Sequence, residues 1–385
     1  DENTSFIVSG RRTYADLFIP LFNDPDLEGS KLYFWDFNAK VNHTINENNR
    51  IFASAYLGRD VFENEFAGMD LGNNTITLRW NHLFSKKVFS NFTFLRSRYE
   101  YELGVPEGEP NSFEWKSKLV DYTGKADFTW YLNTSNTIRF GTSVIHHTFN
   151  PGEARGLGDE TFFSEYVLPK NYAIESGAYL SNEQHIGGFL TLKYGLRFSM
   201  FQNIGPGTIY NFNDQYQVVD STVYGDGEIF NTYMNIEPRF GITYLLNERS
   251  SIKASYSRTT QYLHLDQNST AGTPLDIWFP SSPNVKPQIS DQGAVGYFRN
   301  FKDNMYEASA EIYYKQMDNA IDFKDHAELL LNKELEGELR FGEARAYGLE
   351  LMVRKSKGRL NGWISYTYSK AERKIKEIND GDPYP

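Results

Sequence analysis

The chain has 385 residues, of which 16% are aromatic, and it carries a formal net charge of −11. This charge, with no basic stripe, argues against binding to nucleic acid, whose phosphates need a basic footprint. No apolar run of about 18 residues occurs, which excludes transmembrane helices, and the lack of cysteine excludes disulfides and thiolate metal sites.

Alternating apolar and polar residues predict about fifteen β-strands along the chain. The segment 190–200 is the clearest, because its eleven residues alternate throughout and strands of about 9 to 11 residues cross a bilayer at a tilt of about 45°. Similar alternation precedes it at 33–41, 76–84 and 122–132 and follows it at 234–246, 306–314 and 347–353. On this pattern the side chains predicted to face lipid are Leu192, Leu196, Phe198, Phe240, Ile242, Leu349, Leu351 and Val353.

The connections between these strands alternate in length. Short turns are predicted at 46–49, 85–87, 133–136, 187–188, 247–249, 301–304 and 356–358. Long loops are predicted at 12–30, 60–73, 103–111, 150–170, 203–228, 261–287 and 319–342. Outer-membrane barrels show this asymmetry, with short periplasmic turns and long extracellular loops. The predicted fold class is therefore all-β, an antiparallel up-and-down transmembrane β-barrel.

Two loop segments have helical spacing. TYADLFIPLF, at 13–22, is helical in pattern up to its proline, and DHAELLLNKELEGEL, at 325–339, is amphipathic. Both are expected to be short helices on the barrel rim.

The predicted strand number is odd, whereas single-chain bacterial barrels have even numbers. The chain also begins at Asp1 and ends on NDGDPYP, inside what should be another long loop. We therefore expect residues 1–385 to be an incomplete barrel domain.

Four phrases, SFIVSGRRTYADLF, NIEPRFGITYLL, EARAYGLELMVRK and WISYTYSKAER, resemble the barrel of TonB-dependent outer-membrane receptors, especially the Bacteroidetes type. The resemblance implies a 22-stranded barrel with a plugged lumen. It also implies a plug domain outside this sequence, a TonB-type energy-coupling protein as partner through that plug, surrounding outer-membrane lipid and a possible surface lipoprotein. The implied location is the Gram-negative outer membrane, with extracellular loops and periplasmic turns.

Two groups of side chains are candidate functional residues. The aromatic loop residues Tyr262, His264, Trp278 and Phe279 either bind ligand or pack against neighbouring loops. The charged residues Arg197, Glu237, Arg239, Glu350 and Arg354 are predicted to face a lumen, where they hold a plug or line a solute path.

Catalytic and metal sites are not predicted, and neither is a cofactor. The adjacent His146 and His147 point to opposite faces of a strand, so they cannot chelate one metal together. Acidic stretches at 23–29, 224–228 and 379–383 lack the full spacing of a calcium loop. Solvated turns are the simpler interpretation of these stretches.

Three functions remain open. The leading hypothesis is energised uptake of a scarce ligand, such as an iron chelate, cobalamin, haem, a glycan or a peptide. The alternatives are a passive channel and a secreted β-rich adhesin or binding protein.

Overall fold

A computed structural model describes residues 2–22, 29–109, 111–158, 161, 164–266, 277–328 and 332–385. Nearly all of its regular structure is β-strand. The first ten strands are β1 (Thr4–Arg12), β2 (Lys31–Asn46), β3 (Asn49–Glu63), β4 (Gly68–Ser85), β5 (Val88–Val105), β6 (Phe113–Asn133), β7 (Asn136–Gly156), β8 (Tyr166–Val167), β9 (Asn171–Ile186) and β10 (Leu190–Ile204). The other ten are β11 (Gly207–Phe212), β12 (Val218–Tyr224), β13 (Ile229–Asn247), β14 (Ser250–Gln261), β15 (Leu263–Asp266), β16 (Ile277–Pro280), β17 (Gln288–Phe301), β18 (Tyr306–Phe323), β19 (Leu339–Lys355) and β20 (Gly362–Ile375).

Short 3-10 helices occur at Ala15–Leu17, Ile19–Phe22, Leu335–Glu338 and Asn379–Gly381. In the described ranges, no helix is long and apolar enough to cross a membrane.

One 16-stranded antiparallel sheet contains most of the chain. Fifteen of its strands follow one another in the order β1-β2-β3-β4-β5-β6-β7-β9-β10-β13-β14-β17-β18-β19-β20, and β8 pairs with β7. The hairpins β11-β12 and β15-β16 are separate two-stranded sheets within loops. This topology confirms the predicted antiparallel up-and-down fold, in which each strand pairs with its neighbour along the sheet.

Seven tight connections lie at one end of the sheet, which we call the turn end. They occupy residues 47–48, 86–87, 134–135, 187–189, 248–249, 302–305 and 356–361, where short turns were predicted. Asparagine shapes three of them, because the Oδ1 atoms of Asn46, Asn133 and Asn247 accept backbone N–H bonds from two residues further on, at 2.9 to 3.0 Å. This Asx-turn geometry closes a hairpin within two residues.

The opposite end, which we call the loop end, differs from prediction in two respects. The prediction of a long loop at 60–73 is wrong, because β3 and β4 pair as far as Glu63 and Gly68 and only a short connection remains between them. Similarly, β5 and β6 pair as far as Val105 and Phe113, so the loop expected at 103–111 is also shorter. These strands extend beyond the segments whose alternating apolar and polar residues were used to predict them.

The two expected loop helices are also wrong in type. The segment at 13–22 forms two 3-10 turns, and the segment at 325–339 contains a single 3-10 turn at Leu335–Glu338; residues 329–331 of that segment lie outside the described residues. The loop end instead carries β8, β11-β12 and β15-β16, which the alternation did not predict.

The strand register sorts side chains onto two faces. We call the face that contains Leu78, Leu196 and Leu351 the apolar face, and these three side chains are 50%, 50% and 40% exposed. Each is flanked across the sheet by residues of the same face, such as Phe94 beside Leu78 and Tyr366 beside Leu351. Large hydrophobic groups are therefore exposed from strand to strand, as expected of a wall whose solvent is lipid.

All eight side chains predicted to face lipid lie on this apolar face by register. Except for Gln184, which pairs with Leu192, their cross-strand partners are hydrophobic, aromatic or small. They include Leu192 with Ile242, Tyr194 with Phe240, Leu196 with Leu180, Phe198 with Ala178, Leu349 with Ile312 and Val353 with Ala308. The opposite face, which we call the polar face, carries Lys40, Arg79, Lys125, Arg197 and Glu350.

Aromatic rings and ion pairs bound the apolar band. Towards the turn end, Trp80 stacks on Phe92 with ring centroids 5.2 Å apart, and Phe128 stacks on Phe140 at 5.0 Å. Towards the loop end the same face becomes charged, with the ion pair of Arg258 and Asp291 at 2.9 Å. The change from apolar to charged side chains marks one edge of the band.

Candidate functional site

The polar face carries a row of charged side chains that crosses five neighbouring strands, β6, β7, β9, β10 and β13. We call this row the ion-pair chain, and its members in order are Asp121, His147, Glu175, Arg197, Glu237 and Arg239. It brings together three of the residues predicted to face a lumen. Within the described residues, no group of three or more His, Cys, Asp or Glu is arranged to hold a metal ion.

Short distances within the ion-pair chain link each of its members to the next. His147 Nδ1 lies 2.8 Å from Asp121 Oδ1, and its Nε2 lies 4.0 Å from Glu175 Oε2. Arg197 lies between two carboxylates, 3.7 Å from Glu175 and 3.7 Å from Glu237. His147 and Glu237 are buried, at 2% and 4% exposed, whereas the other four members are partly or largely exposed. The row is therefore a partly buried polar layer.

Glu350 and Arg354, the other two residues predicted to face a lumen, lie on the same polar face but on β19. Glu350 faces Glu311 on β18 and Thr367 on β20, and Arg354 faces Glu307 and Trp363. Three strands, β14, β17 and β18, separate them from the ion-pair chain. The structure therefore divides the predicted charges into two groups.

Tyr262 lies in the interior and not at a loop tip. It is 2% exposed and stacks on Phe201 with ring centroids 5.0 Å apart. Its hydroxyl accepts a bond from Asn235 Nδ2 at 2.9 Å and lies 2.8 Å from Ser199 Oγ. Tyr262 thereby fastens the start of the 262–287 loop to the polar face.

His264 and Phe279 face each other across the β15-β16 hairpin. His264 is 3% exposed, and its Nε2 lies 2.9 Å from Ser281 Oγ. Phe279 packs with Val285, Ile321, Phe323 and Leu339. Of the two interpretations left open by the sequence, the geometry of these two residues and Tyr262 is that of packing.

Lowering the pH is expected to loosen this hairpin, because burial lowers the pKa of His264 from 6.5 to about 4. The unfolded loop takes up a proton below pH 6.5 and the folded loop does not, so stability falls as the pH drops. Between pH 7.5 and pH 5 we expect a loss of about 2 kcal/mol. Hydrogen exchange of the backbone amides in the loop, measured at the two pH values, tests this.

His264→Gln should remove most of that pH dependence, since an amide does not titrate. His185→Gln, which deletes an exposed imidazole near the turn end, is the matched control and should retain it. Equal pH dependence in wild type and His264→Gln would contradict the assignment.

Trp278, together with Phe279, borders open space. It pairs with Leu265 on the other side of the hairpin, and its ring lies 6.4 Å from that of Tyr99. It lines a cleft of about 110 Å³ at the loop end, which we call the rim cleft. The other principal lining residues are Trp115, Leu168, Pro169, Asn171, Tyr172, Asn203, Thr208, Tyr210, Phe212, Phe230, Phe279, Lys333, Glu334, Glu336 and Leu339.

Several segments distant in sequence form the rim cleft, which is why the sequence did not predict it. Its walls come from β6, β9, β10, the β11-β12 hairpin, β16 and the loop before β19. Burial raises the pKa of Glu336 in that last loop, and Asn284 Nδ2 donates to its carboxylate at 2.6 Å. The cleft thus combines an aromatic lining with a few placed polar groups, the usual composition of a small-molecule site.

Comparisons with known proteins identify the family of this β-sheet. The model of the family described as TonB dependent receptor-like, beta-barrel, matches residues 7–385. A search of curated proteins gives no match. Among solved structures, the chain is similar to the FrpB iron transporter from Neisseria meningitidis (F3-3 variant), with a TM-score of 0.67 and 14% identity over 98% of this chain and 59% of that one.

Two further structures show the same fold. The ferric-catecholate import receptor Fiu from E. coli K12 gives a TM-score of 0.62 and 13% identity over 99% of this chain and 63% of that one. A double mutant of the Serratia marcescens hemophore receptor HasR, in complex with its hemophore HasA and heme, gives 0.66 and 13% over 97% and 60%. This chain thus spans about three fifths of the length of these proteins. It belongs to the TonB-dependent receptor-like β-barrel family, a family of outer-membrane transport proteins.

Proposed function

We propose that this chain forms the transmembrane wall and the ligand-contacting loops of an outer-membrane active transporter. In this proposal a scarce ligand binds at the loop end, and a TonB-type protein in the periplasm acts through a plug domain to open a path. The observation that carries the proposal is the division of one sheet into an exposed apolar face and a polar face. A wall of this kind places lipid on one side and a water-filled or plugged interior on the other.

The ion-pair chain supports a plugged interior over open water. The buried Glu237 and the partly exposed Glu175 and Arg197 form an ion-paired group on the face that would line the lumen. Charged hydrogen-bonding groups at fixed positions suit the docking of a polar domain against the wall. The candidate ligands are an iron chelate, cobalamin, haem, a glycan or a peptide, delivered directly or through a surface lipoprotein.

Energy dependence separates this proposal from a passive channel. Cells that produce the intact protein, and otherwise identical cells that lack it, are given each candidate ligand in labelled form. Active import predicts uptake that requires the protein and stops when TonB is deleted or the proton gradient is collapsed. Uptake that persists without TonB would favour the passive channel.

The orientation of the wall is tested by cysteine labelling, for which the cysteine-free chain is suited. Asp226→Cys places a thiol in an exposed loop before β13, and Lys86→Cys places one in the exposed turn between β4 and β5. On intact cells, a membrane-impermeant maleimide should label the first variant fully and the second only after the outer membrane is permeabilised. Labelling in the reverse order would invert the proposed orientation.

A further inference from the structure

A groove on the polar face borders the ion-pair chain on its turn-end side, and we call it the lumen groove. It has a volume of about 540 Å³, which is room for several tens of waters at about 10 to 15 Å³ each. Small residues of three neighbouring strands form its floor, namely Gly195 on β10, Gly241 on β13, and Ser255 and Ser257 on β14. The groove shares no lining residue with the rim cleft.

Basic side chains dominate the walls of the lumen groove. Among the described residues that line it, four are basic and one is acidic: Arg139, Lys193, Arg197 and Arg239, with Glu183. This balance is opposite to that of the whole chain, whose formal net charge is −11. A cleft walled by charges of one sign concentrates ions of the other sign, so the groove favours an anion.

The basic groups are only partly engaged by the carboxylates of the protein. Glu183 is shared by two of them, since it lies 3.2 Å from Arg139 and 3.5 Å from Lys193. The side chains of Arg139, Lys193 and Arg239 are 49%, 63% and 56% exposed. Because arginine carries five N–H donors and lysine three, a bound oxyanion can accept charge-assisted hydrogen bonds from them while the existing ion pairs remain.

The size of the groove and the hydroxyl groups on its floor favour a small solute as the occupant. Small-molecule sites have volumes of about 300 to 1,000 Å³, and the groove falls within this range. Ser255 and Ser257 add hydroxyl donors for an oxyanion. The four basic groups come from β7, β10 and β13, so a solute with two or more anionic groups can contact several of them at once.

We propose that the lumen groove binds a small solute that carries two or more carboxylate or phosphate groups. The proposal rests on the proposed function, and it assigns an anionic character to the transported ligand. Arg139, Lys193 and Arg239 donate to the oxyanion groups, and Glu183 holds two of these cations in place. Since the groove lies nearer the turn end than the rim cleft does, the solute reaches it after it leaves the loop end.

The test measures the binding of anions to the intact protein in nonionic detergent micelles, by isothermal titration calorimetry at low salt. Citrate and pyrophosphate are the two anionic probes, and triethyl citrate is the uncharged counterpart of citrate. We expect an anion to bind with an affinity that falls as salt is added, and triethyl citrate not to bind. Binding of citrate alone identifies carboxylates, binding of pyrophosphate alone identifies phosphates, and binding of both shows that the groove selects by charge.

Lys193→Met should weaken binding of that anion about three- to tenfold, the effect of one charge a few ångströms away in a hydrated groove. Lys40→Met is the matched control, because Lys40 is an exposed lysine on the polar face of β2, outside the groove. Its affinity for the anion should equal that of wild type. Thermal unfolding of both variants checks that they are folded.

Equal binding of triethyl citrate, or equal losses of affinity in the two lysine variants, would overturn the proposal. Failure of both anions to bind would also overturn it, and would assign the basic groups to contact with an acidic segment of a plug domain. Binding in micelles needs neither TonB nor a proton gradient. Failure of this proposal is therefore distinguishable from failure of the uptake experiment.

Discussion

Leu78→Arg is expected to destabilise the inserted sheet by about 2 to 4 kcal/mol, the cost of an arginine on the lipid face near mid-membrane. Leu78 lies on β4 inside the apolar band, with Ala53 and Phe94 as its neighbours across the sheet. Its side chain is 50% exposed, so the guanidinium would enter hydrocarbon and not a protein core. The measurement is urea unfolding in lipid vesicles, with the amount of protein in the outer-membrane fraction as a second readout.

Thr77→Arg is the matched control, since the same residue is introduced one position away on the opposite face. Thr77 faces Ser54 and Leu95 on the polar face, and that face already carries Arg79 two residues further on. We expect a change of less than about 1 kcal/mol there, because an exposed charge on the lumen side keeps its hydration. Equal losses at the two positions would contradict the assignment of lipid to the apolar face.

The membrane-spanning sheet could be predicted from sequence, because contact with lipid on one face imposes a strict alternation of apolar and polar residues. Every second residue on a strand such as β10 must suit lipid, and its neighbours must suit a polar interior, so alternation identifies both the strand and its faces. The turns were predictable for a related reason. Asn46 and Asn133 close hairpins with their own side chains, which is a local property.

The loop end could not be predicted in the same way, because its strands leave the bilayer. Above the band the alternation of β5 is inverted: Glu100 and Glu102 lie on the face that is apolar lower down, whereas Tyr101 and Leu103 lie on the other face, and pairing with β6 continues to Val105. The hairpins β11-β12 and β15-β16 are stabilised by contacts with distant segments. An example is the bond that Asn284 Nδ2 donates to the backbone oxygen of Tyr210, at 2.9 Å.

The candidate site shows the same division. The alternation of apolar and polar residues along the strands was enough to place Arg197, Glu237 and Arg239 on one face. Their partner His147, by contrast, was considered only as one of a histidine pair. The role of Tyr262 as a buried anchor depends on Phe201 and Ser199, about sixty residues earlier in the chain, and periodicity does not encode such a contact.

Arg197→Met is expected to destabilise the wall by about 1 to 3 kcal/mol, because it leaves two carboxylates without their shared cation. The Arg197 guanidinium lies 3.7 Å from both Glu175 and Glu237, and Glu237 is 4% exposed. The guanidinium also lies over Gly177, where a side chain would approach its Nη2 within 2.8 Å. Removing it therefore leaves two like charges near each other across β10, and thermal unfolding in detergent measures the cost.

Arg239→Met serves as the control for this prediction. Arg239 contacts the same Glu237, at 3.4 Å, but its side chain is 56% exposed, so the loss should stay below about 1 kcal/mol. Adding Glu237→Gln to Arg197→Met should recover part of the stability, because the amide removes one of the two like charges. A double variant less stable than Arg197→Met alone, or equal losses in the two arginine variants, would show that Arg197 does not act as the shared cation of the ion-pair chain.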